Sequence, residues 1–202
     1  MAINRFIDTS DELLISRFQQ GVQLLRPDHA DHSHPLNEKI SLGCFKNMPF
    51  NVYVLDVGSH IQTINEPSAA SLGFVSINDS IGKTMFDILP QEQARNLINT
   101  DKMVVRATQT KVIDDRVILK DGIQRQFLTV KTPLYNAQHD VIGVFGCSIL
   151  LNEQPLAVAI AQIAQLGLLQ PQQIVFDDHF LEKLKANHIY LSQRELQVLS
   201  YL

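Results

Sequence analysis

The sequence is poor in the features that stabilise secreted proteins and in the apolar runs that cross membranes. Its 202 residues include no tryptophan and only two cysteines, Cys44 and Cys147, which follow no CxxC spacing. A disulfide framework is therefore disfavoured, and we expect a cytoplasmic protein in a reducing environment. The longest apolar run, residues 141–151, is too short to span a bilayer and predicts a buried strand. Residues 1–6 lack the apolar stretch of a signal peptide.

Charge and motif content exclude several classes of function. The formal net charge is -4, whereas a chain that binds nucleic acid non-specifically over its whole surface is normally basic. The sequence contains no GxSxG, P-loop or HExxH pattern. Its most conspicuous carboxylate pair, Asp114 and Asp115, lies in a strand-like run, where neighbouring side chains point to opposite faces. These carboxylates would not share one site, and we do not expect an enzyme.

The central part of the chain alternates between strand-like and helical patterns in a definite order. Two strands are predicted first, short helices follow between Asn65 and Pro90, and a longer helix comes next. Three more strands complete the order, with Asp121-Gly122 as the hairpin signal between the first two of them. The predicted strands cover residues 51–57, 60–65, 110–119, 124–135 and 141–151, and the longer helix covers residues 91–110. This order predicts an α+β fold with helices on one face of a single antiparallel sheet.

The N-terminal segment carries a helical pattern of its own. Thr9 and Glu12 have capping-box spacing, and Leu14, Phe18 and Val22 follow at helical intervals. This amphipathic helix would need a partner, either the domain that follows or a second subunit. The polar loop at residues 26–35 holds three histidines, but we favour a solvated linker over a metal site because nothing there would fix the ligands.

The C-terminal segment is predicted to be helical. Residues 153–170 are apolar around most of a helical circumference, with Leu156, Ile160 and Ile163 among them. Such a helix packs either on its own domain or in a subunit interface, and both possibilities stay open. A second, shorter helix is predicted over residues 176–188, and the chain then reads LSQRELQVLSYL, a capped helix start.

The order of elements from about residue 48 to residue 152 resembles that of a PAS domain. The motifs that carry the resemblance are VYVLD, IQTINEPSAASLGF, IGKTMFDILP and QFLTVKTPLYNAQHDVIGVFGCSIL. The family positions are matched by Asn65, Leu72, Gly73, Phe74, Gly82, Phe86, Asp87 and Pro90. The resemblance implies a PAS-like five-stranded antiparallel sheet with helices on one face, here flanked by N-terminal and C-terminal helices.

The final twelve residues resemble the first helix of a LuxR-type helix-turn-helix. The matching residues are Leu191, Ser192, Arg194, Glu195, Val198 and Leu199. This resemblance implies the sensory part of a PAS–LuxR-type transcriptional regulator, truncated before its recognition helix, so that DNA would be bound only through the missing C-terminal domain. The alternative is a freestanding PAS ligand-binding or adaptor protein. A sensor kinase fragment is disfavoured because the helix at 153–167 has no histidine, and His179 lacks the flanking residues of a phosphoacceptor box.

The expected organisation has four parts. Residues 1–47 would form the N-terminal helix and loop, and residues 48–152 the sensor domain. Residues 153–190 would form linker helices, and residues 191–202 the start of the helix-turn-helix. A homodimer is expected, and its candidate interface residues are Leu14, Phe18, Val22, Leu156, Ile160 and Ile163.

The resemblance also limits what the sensor could bind. Photoactive flavin domains of this family need a cysteine in the central helices, and none lies between Cys44 and Cys147. Haem with a proximal histidine is disfavoured because no histidine lies between His60 and His139. We expect either no cofactor or a small, mostly apolar ligand, for which Gly143 and Gly146 would leave room unless they mark a bulge or a close contact. The candidate pocket residues are Val54, Leu72, Met85, Phe86, Leu89, Leu97, Phe127, Val144 and Phe145.

Overall fold

The fold is known from a computed structural model that describes residues 6–27, 40–119 and 122–151. In these ranges the chain forms one curled, mostly antiparallel sheet with four α-helices and a short 3-10 helix. The strands are β1 (Leu14–Phe18), β2 (Gly21–Leu25), β3 (Ile40–Ser41), β4 (Asn51–Asp56), β5 (Ile61–Ile64), β6 (Lys111–Ile118), β7 (Gln124–Tyr135) and β8 (Val141–Leu150). The helices are α1 (Leu42–Lys46), α2 (Glu66–Leu72), α3 (Ile77–Ser80) and α4 (Gln91–Ala107), with the 3-10 helix at Met85–Asp87.

The sheet has the order β3-β1-β2-β7-β8-β4-β5, and β6 also pairs with β7. β6 and β2 share one edge of β7: β6 runs antiparallel along its first part, and β2 pairs in parallel with Leu134 and Tyr135 near its end. The long strands β7 and β8 are paired over almost their whole length. The five predicted strands and the α+β class are therefore confirmed, and three N-terminal strands extend the sheet.

The helices between β5 and β6 cover the inner face of this sheet. Helix α2 starts where it does because the Asn65 side chain accepts a hydrogen bond from the Ser68 N–H at 3.1 Å. The same amide donates to the Phe50 carbonyl at 2.7 Å and accepts from the Val52 N–H at 3.0 Å, which ties the helix to the start of β4. Helix α4 buries Ala94, Ile98, Asp101 and Val104 against the sheet, at the spacing of one helical face.

The N-terminal segment covers the outer face of the sheet, and it does so as strands. Our prediction of an amphipathic helix there is wrong: β1 and β2 form a hairpin in which Ile15 is paired with Leu24. Both residues are buried, together with Val22, in a group of apolar side chains on the outer face of the sheet, which we call the outer cluster. Its other members include Leu42, Phe45, Leu128, Val130 and Phe145. Over this short segment the apolar residues fit both a helical spacing, through Leu14, Phe18 and Val22, and the alternation of two strands. Packing on the sheet favours the strands.

Several predictions lie outside the residues that the structure describes. These are the polar loop with its histidines and everything predicted beyond residue 151, including the C-terminal dimer residues and the start of the helix-turn-helix. The four domain boundaries therefore stay predictions. Within the described ranges, no helix is long and apolar enough to cross a membrane.

Candidate ligand pocket

A cavity of about 80 Å³ lies between the inner face of the sheet and the helices. Its wall is built from four strands of the central sheet, β6, and the helical segments from α2 to α4. Most of the wall is apolar and comes from Leu55, Ile61, Ile64, Leu72, Met85, Leu89, Leu97, Val117, Leu119 and Phe127. The polar wall residues are Asn51, Tyr53, Ser68, Asp101, Asp115, Thr129, Lys131 and Ser148.

The strand registers explain why the polar groups meet. Residues directly opposite each other in an antiparallel pair project to the same face. Thr129 of β7 stands opposite Ser148 of β8, and the Thr129 hydroxyl donates to the Ser148 hydroxyl at 3.0 Å. Lys131 follows Thr129 by two residues and therefore points to the same side of the sheet. The alternation of side chains along β7 therefore places Lys131 on the inner face of the sheet, next to α4.

A buried ion pair joins this strand to helix α4. The Lys131 Nζ lies 2.6 Å from Asp101 Oδ1, and the two side chains are 5% and 2% exposed. Lys131 also donates to the Leu97 carbonyl at 3.4 Å. Burying two charges costs several kcal/mol per ion, and the short distance within the pair and the further hydrogen bond of Lys131 offset part of that cost. The second oxygen of Asp101, Oδ2, is buried and receives no hydrogen bond from any residue that the structure describes.

Asp115 and Tyr53 complete the polar group. Burial raises the pKa of Asp115, while the charge of Lys131 and the nearby Thr129 hydroxyl act in the opposite direction. Removal from water also raises the pKa of Tyr53 well above its usual range, so its phenol stays protonated and can donate a hydrogen bond. The Tyr53 ring fits because Gly146 stands opposite it: a Cβ at Gly146 would lie 2.1 Å from the ring.

Taken together, these groups offer hydrogen-bond donors and acceptors at the cavity wall. Asp114 lies next to Asp115 yet does not line the cavity, and it accepts a hydrogen bond from Gln126 Nε2 at 2.8 Å. Among the described residues no group of three histidine, cysteine or acidic side chains is placed to hold a metal ion. The site is a small apolar space with hydrogen-bonding groups at one part of its wall.

Comparison with known proteins agrees with this geometry. The sequence matches the PAS fold family over residues 45–154, which is more than half of the chain. The chain belongs to the PAS family. No curated protein matches it in sequence.

Solved structures of VqmA share the fold. A structure of the Vibrio cholerae VqmA dimer in the absence of target DNA is 19% identical, with a TM-score of 0.53, and the match covers 79% of this chain and 85% of that chain. A Vibrio cholerae VqmA–ligand–DNA complex is 17% identical, with a TM-score of 0.53, over 86% of this chain and 89% of that chain. VqmA bound to DPO is 20% identical, with a TM-score of 0.51, over 79% and 84%. At these identities the similarity shows the fold.

The PAS structure places the sequence-predicted pocket residues in three groups. Leu72, Met85, Leu89, Leu97 and Phe127 line the cavity. Val144 is buried among the apolar side chains on the inner face of the sheet, but it does not line the cavity. Phe86 is 50% exposed. Val54 and Phe145 belong to the outer cluster, on the opposite face of the PAS sheet.

The N-terminal dimer candidates are packed within this PAS subunit. Val22 is buried in the outer cluster. Phe18 is partly buried, and its ring stacks on His139 at a centroid distance of 4.4 Å and meets Tyr135 edge-on at 4.9 Å. Leu14 is partly buried in β1. The free surface for a partner at these positions is therefore small.

Sequence reasoning missed the polar part of the PAS pocket. Asp101 continues the buried face of α4, and Lys131 continues the alternation of Phe127 and Thr129. The sequence did contain a signal for this polar part. One charged residue lies on the apolar face of the predicted helix, and another lies on the apolar face of the predicted strand. Gly143 and Gly146 serve packing: Gly143 permits a close approach of β4 beside a bulge in β8, and Gly146 accommodates Tyr53.

Proposed function

We propose that this PAS domain is the sensory domain of a LuxR-type transcriptional regulator and that its signal is a small molecule bound in the inner cavity. The observation that carries the proposal is the cavity itself, whose apolar wall includes a buried ion pair with an unsatisfied oxygen. Replacing such a pair with apolar side chains of similar volume is often neutral or stabilising, so stability alone does not account for its presence. Its position in the wall of a partly open cavity favours a binding role.

Two independent features support the regulatory part of the proposal. VqmA, whose structures share this fold, is a LuxR-type receptor, and one of its structures contains both a ligand and DNA. The motif LSQRELQVLSYL at residues 191–202 resembles the first helix of a LuxR-type helix-turn-helix. In this proposal DNA is bound by a C-terminal domain that starts there, and the PAS domain has no enzymatic activity.

The proposed regulator acts as a homodimer, because helix-turn-helix readers bind paired half-sites with a symmetric protein. A dimeric structure of VqmA supports this assignment. The C-terminal candidates Leu156, Ile160 and Ile163 remain the proposed interface, since Val22 is buried within one subunit.

The position of the ion pair suggests how the signal leaves the cavity. Lys131 lies on β7, and Leu134 and Tyr135 of the same strand pair with β2 of the outer hairpin. A ligand that binds one arrangement of Lys131 and Asp101 better than another would shift the population of that arrangement. The shift would reach the outer hairpin through β7 and the linker through the neighbouring strand β8.

The test uses the natural gene product, read through the codons that follow Leu202. We expect the reading frame to continue into a turn and a basic recognition helix, and the protein to enrich specific fragments of genomic DNA at moderate salt. A stop codon directly after Leu202, or the absence of any enriched fragment, would favour the freestanding ligand-binding or adaptor protein instead.

The ligand part has its own test with a matched pair of variants. Leu72→Phe adds volume at the cavity wall, whereas Val75→Phe adds a similar volume at a residue that is 96% exposed. Small molecules extracted from the wild-type protein after purification from its own host should be retained by V75F and lost from L72F. Mass spectrometry of the extracts measures this, and identical extracts from all three proteins would contradict a ligand in this cavity.

A further inference from the structure

The unsatisfied oxygen of Asp101 specifies a property of whatever occupies the cavity. Asp101 Oδ1 accepts from Lys131 Nζ at 2.6 Å, whereas no donor among the described residues reaches Oδ2. Asp101 is 2% exposed and lines the cavity wall. A buried carboxylate oxygen without a hydrogen bond costs free energy, and the cost is recovered when a bound molecule offers an N–H or O–H group.

The charges around the cavity add a second restriction. Lys131 is the only cationic side chain in the described wall, and it faces two carboxyl groups, those of Asp101 and Asp115. Its charge is already paired with Asp101. A carboxylate ligand would therefore meet two acidic side chains with no cation free to compensate it, and like charges at such distances repel strongly inside a protein.

The size of the space limits the ligand further. One water needs about 10–15 Å³ of such volume, and the cavity offers about 80 Å³. Because the cavity is partly open, a single small ring or a short branched chain can occupy it and extend toward the open side, whereas a nucleotide or a haem far exceeds this volume. Because most of the wall is apolar, the body of the ligand must be apolar as well.

Building on the proposed sensory function, we propose that the cavity selects a small, largely apolar molecule, neutral or cationic, that donates a hydrogen bond to Asp101 Oδ2, and that it rejects carboxylates. Asp101 is then the specificity-determining residue, and Lys131 is the positioning residue that holds its other oxygen. The selectivity follows from the need to satisfy a buried acceptor, which discriminates more strongly than apolar contact alone.

Three probes of one planar skeleton test the proposal: benzamidine, benzamide and benzoate, which are cationic, neutral and anionic at neutral pH. Each is titrated into the purified protein and followed by NMR through the methyl groups of Leu72, Met85 and Leu97, which line the cavity. We expect benzamidine and benzamide to shift these methyl signals, with benzoate binding at least about tenfold more weakly.

Variants assign the selectivity to Asp101. Asp101→Asn removes one acceptor oxygen, and we expect it to reduce the preference for benzamidine over benzoate by about tenfold or more. Because it leaves Lys131 without its charge partner and can destabilise the fold, the double variant D101N/K131M removes both charges of the pair. It should show a similarly reduced preference for benzamidine, with the remainder due to Asp115, which stays in the wall. Asp114→Asn is the control, since it removes a neighbouring carboxylate that does not line the cavity and should keep the wild-type order.

The outcomes separate this inference from the function on which it rests. Benzoate binding as tightly as benzamide in the wild type, or an unchanged order in both Asp101 variants, would overturn the inference and leave a ligand cavity in place. If none of the three probes shifts the cavity methyl signals of the wild type, the inference is overturned, while the ligand-sensing proposal is decided separately by the small molecules extracted from the wild type, L72F and V75F. The expected order, weakened in the Asp101 variants and kept in D114N, supports both.

Discussion

Truncation of one aromatic side chain tests whether the N-terminal segment is part of the PAS subunit. Phe45 of α1 is 1% exposed in the outer cluster. Its ring meets the ring of Phe145 edge-on, with a centroid distance of 5.1 Å and an interplanar angle of 77°. Phe145 is itself fully buried on β8. Phe45→Ala therefore removes a ring that joins the N-terminal segment to the outer face of the sheet.

The expected cost follows from the burial and the ring contact. Phe→Ala in a core costs about 3–5 kcal/mol, which includes the transfer of the ring and the cavity it leaves. The edge-to-face contact contributes about 0.5–1.5 kcal/mol beyond area burial. We expect a loss of about 3–4 kcal/mol in the free energy of unfolding, because α1 is short and can partly collapse onto the gap. With an m-value of about 2 kcal/mol/M, the urea midpoint should fall by about 1.5–2 M.

The assay is urea unfolding of the full chain followed by far-ultraviolet circular dichroism, since the sequence contains no tryptophan. Phe6→Ala is the matched control: Phe6 is 79% exposed, and its truncation should change stability by less than about 0.5 kcal/mol. The double variant F45A/F145A should cost less than the sum of the single variants, because the two rings share one contact. Equal midpoints for F45A and F6A would refute the packing of α1 on the sheet.

Three further predictions use the same unfolding assay. Asn65→Ala should cost about 2–4 kcal/mol, because it removes a helix cap and leaves buried backbone groups unsatisfied, whereas Ser76→Ala at an exposed cap should cost no more than about 1 kcal/mol; equal costs would contradict the role of Asn65. Gly143→Ala should cost about 1–3 kcal/mol or more through overpacking, because the new Cβ would lie 1.9 Å from the Leu55 carbonyl oxygen, and an unchanged midpoint would contradict the close strand approach. Because burial raises the pKa of Asp115, the folded state binds its proton more tightly than the unfolded state. The stability of the wild type relative to D115N should therefore fall as the pH rises from about 4 to about 7, and a constant difference would contradict the raised pKa.

The central strands could be predicted from sequence because local and long-range forces agree there. The run QRQFLTVKTPLY at 124–135 coincides with β7, and NVYVLDV at 51–57 extends one residue beyond β4. Both runs are rich in β-branched and aromatic residues and end at turn-forming residues. The start of α2 was predictable for a similar reason, since Asn65 caps the helix within three residues of sequence.

The N-terminal hairpin could not be predicted in the same way, because its pattern fits two periods. Leu13 and Ile15, and then Val22 and Leu24, alternate as in two strands, while Leu14, Phe18 and Val22 repeat as in a helix. Over so short a segment neither local preference dominates. Packing on the outer face of the sheet determines that strands form here, and that face is built from residues that are distant in sequence.

Only some of the residues that line the cavity could be predicted from the sequence, and the pleat of the strands explains which ones. Choosing pocket residues by hydrophobicity alone selected both Val144 and Phe145, although adjacent residues of one strand must face opposite sides. The same criterion discarded Asp101 and Lys131, because charged residues are usually exposed. Periodicity would have corrected both errors, since it depends on position and not on residue type.

In the proposed function, strand β7 serves both stability and ligand recognition. Leu128 and Val130 belong to the outer cluster of buried apolar residues. Phe127, Thr129 and Lys131 face the cavity, where the ion pair and the hydroxyl groups lie. Burial of the two charges lowers the free energy of unfolding on the inner face of the sheet. The apolar packing that offsets this loss lies on the outer face, at the neighbouring positions of the same strand. If the cavity binds a ligand as proposed, substitutions at the inward positions should change ligand preference without loss of the outer core, because the two sets of side chains lie on opposite faces of the sheet.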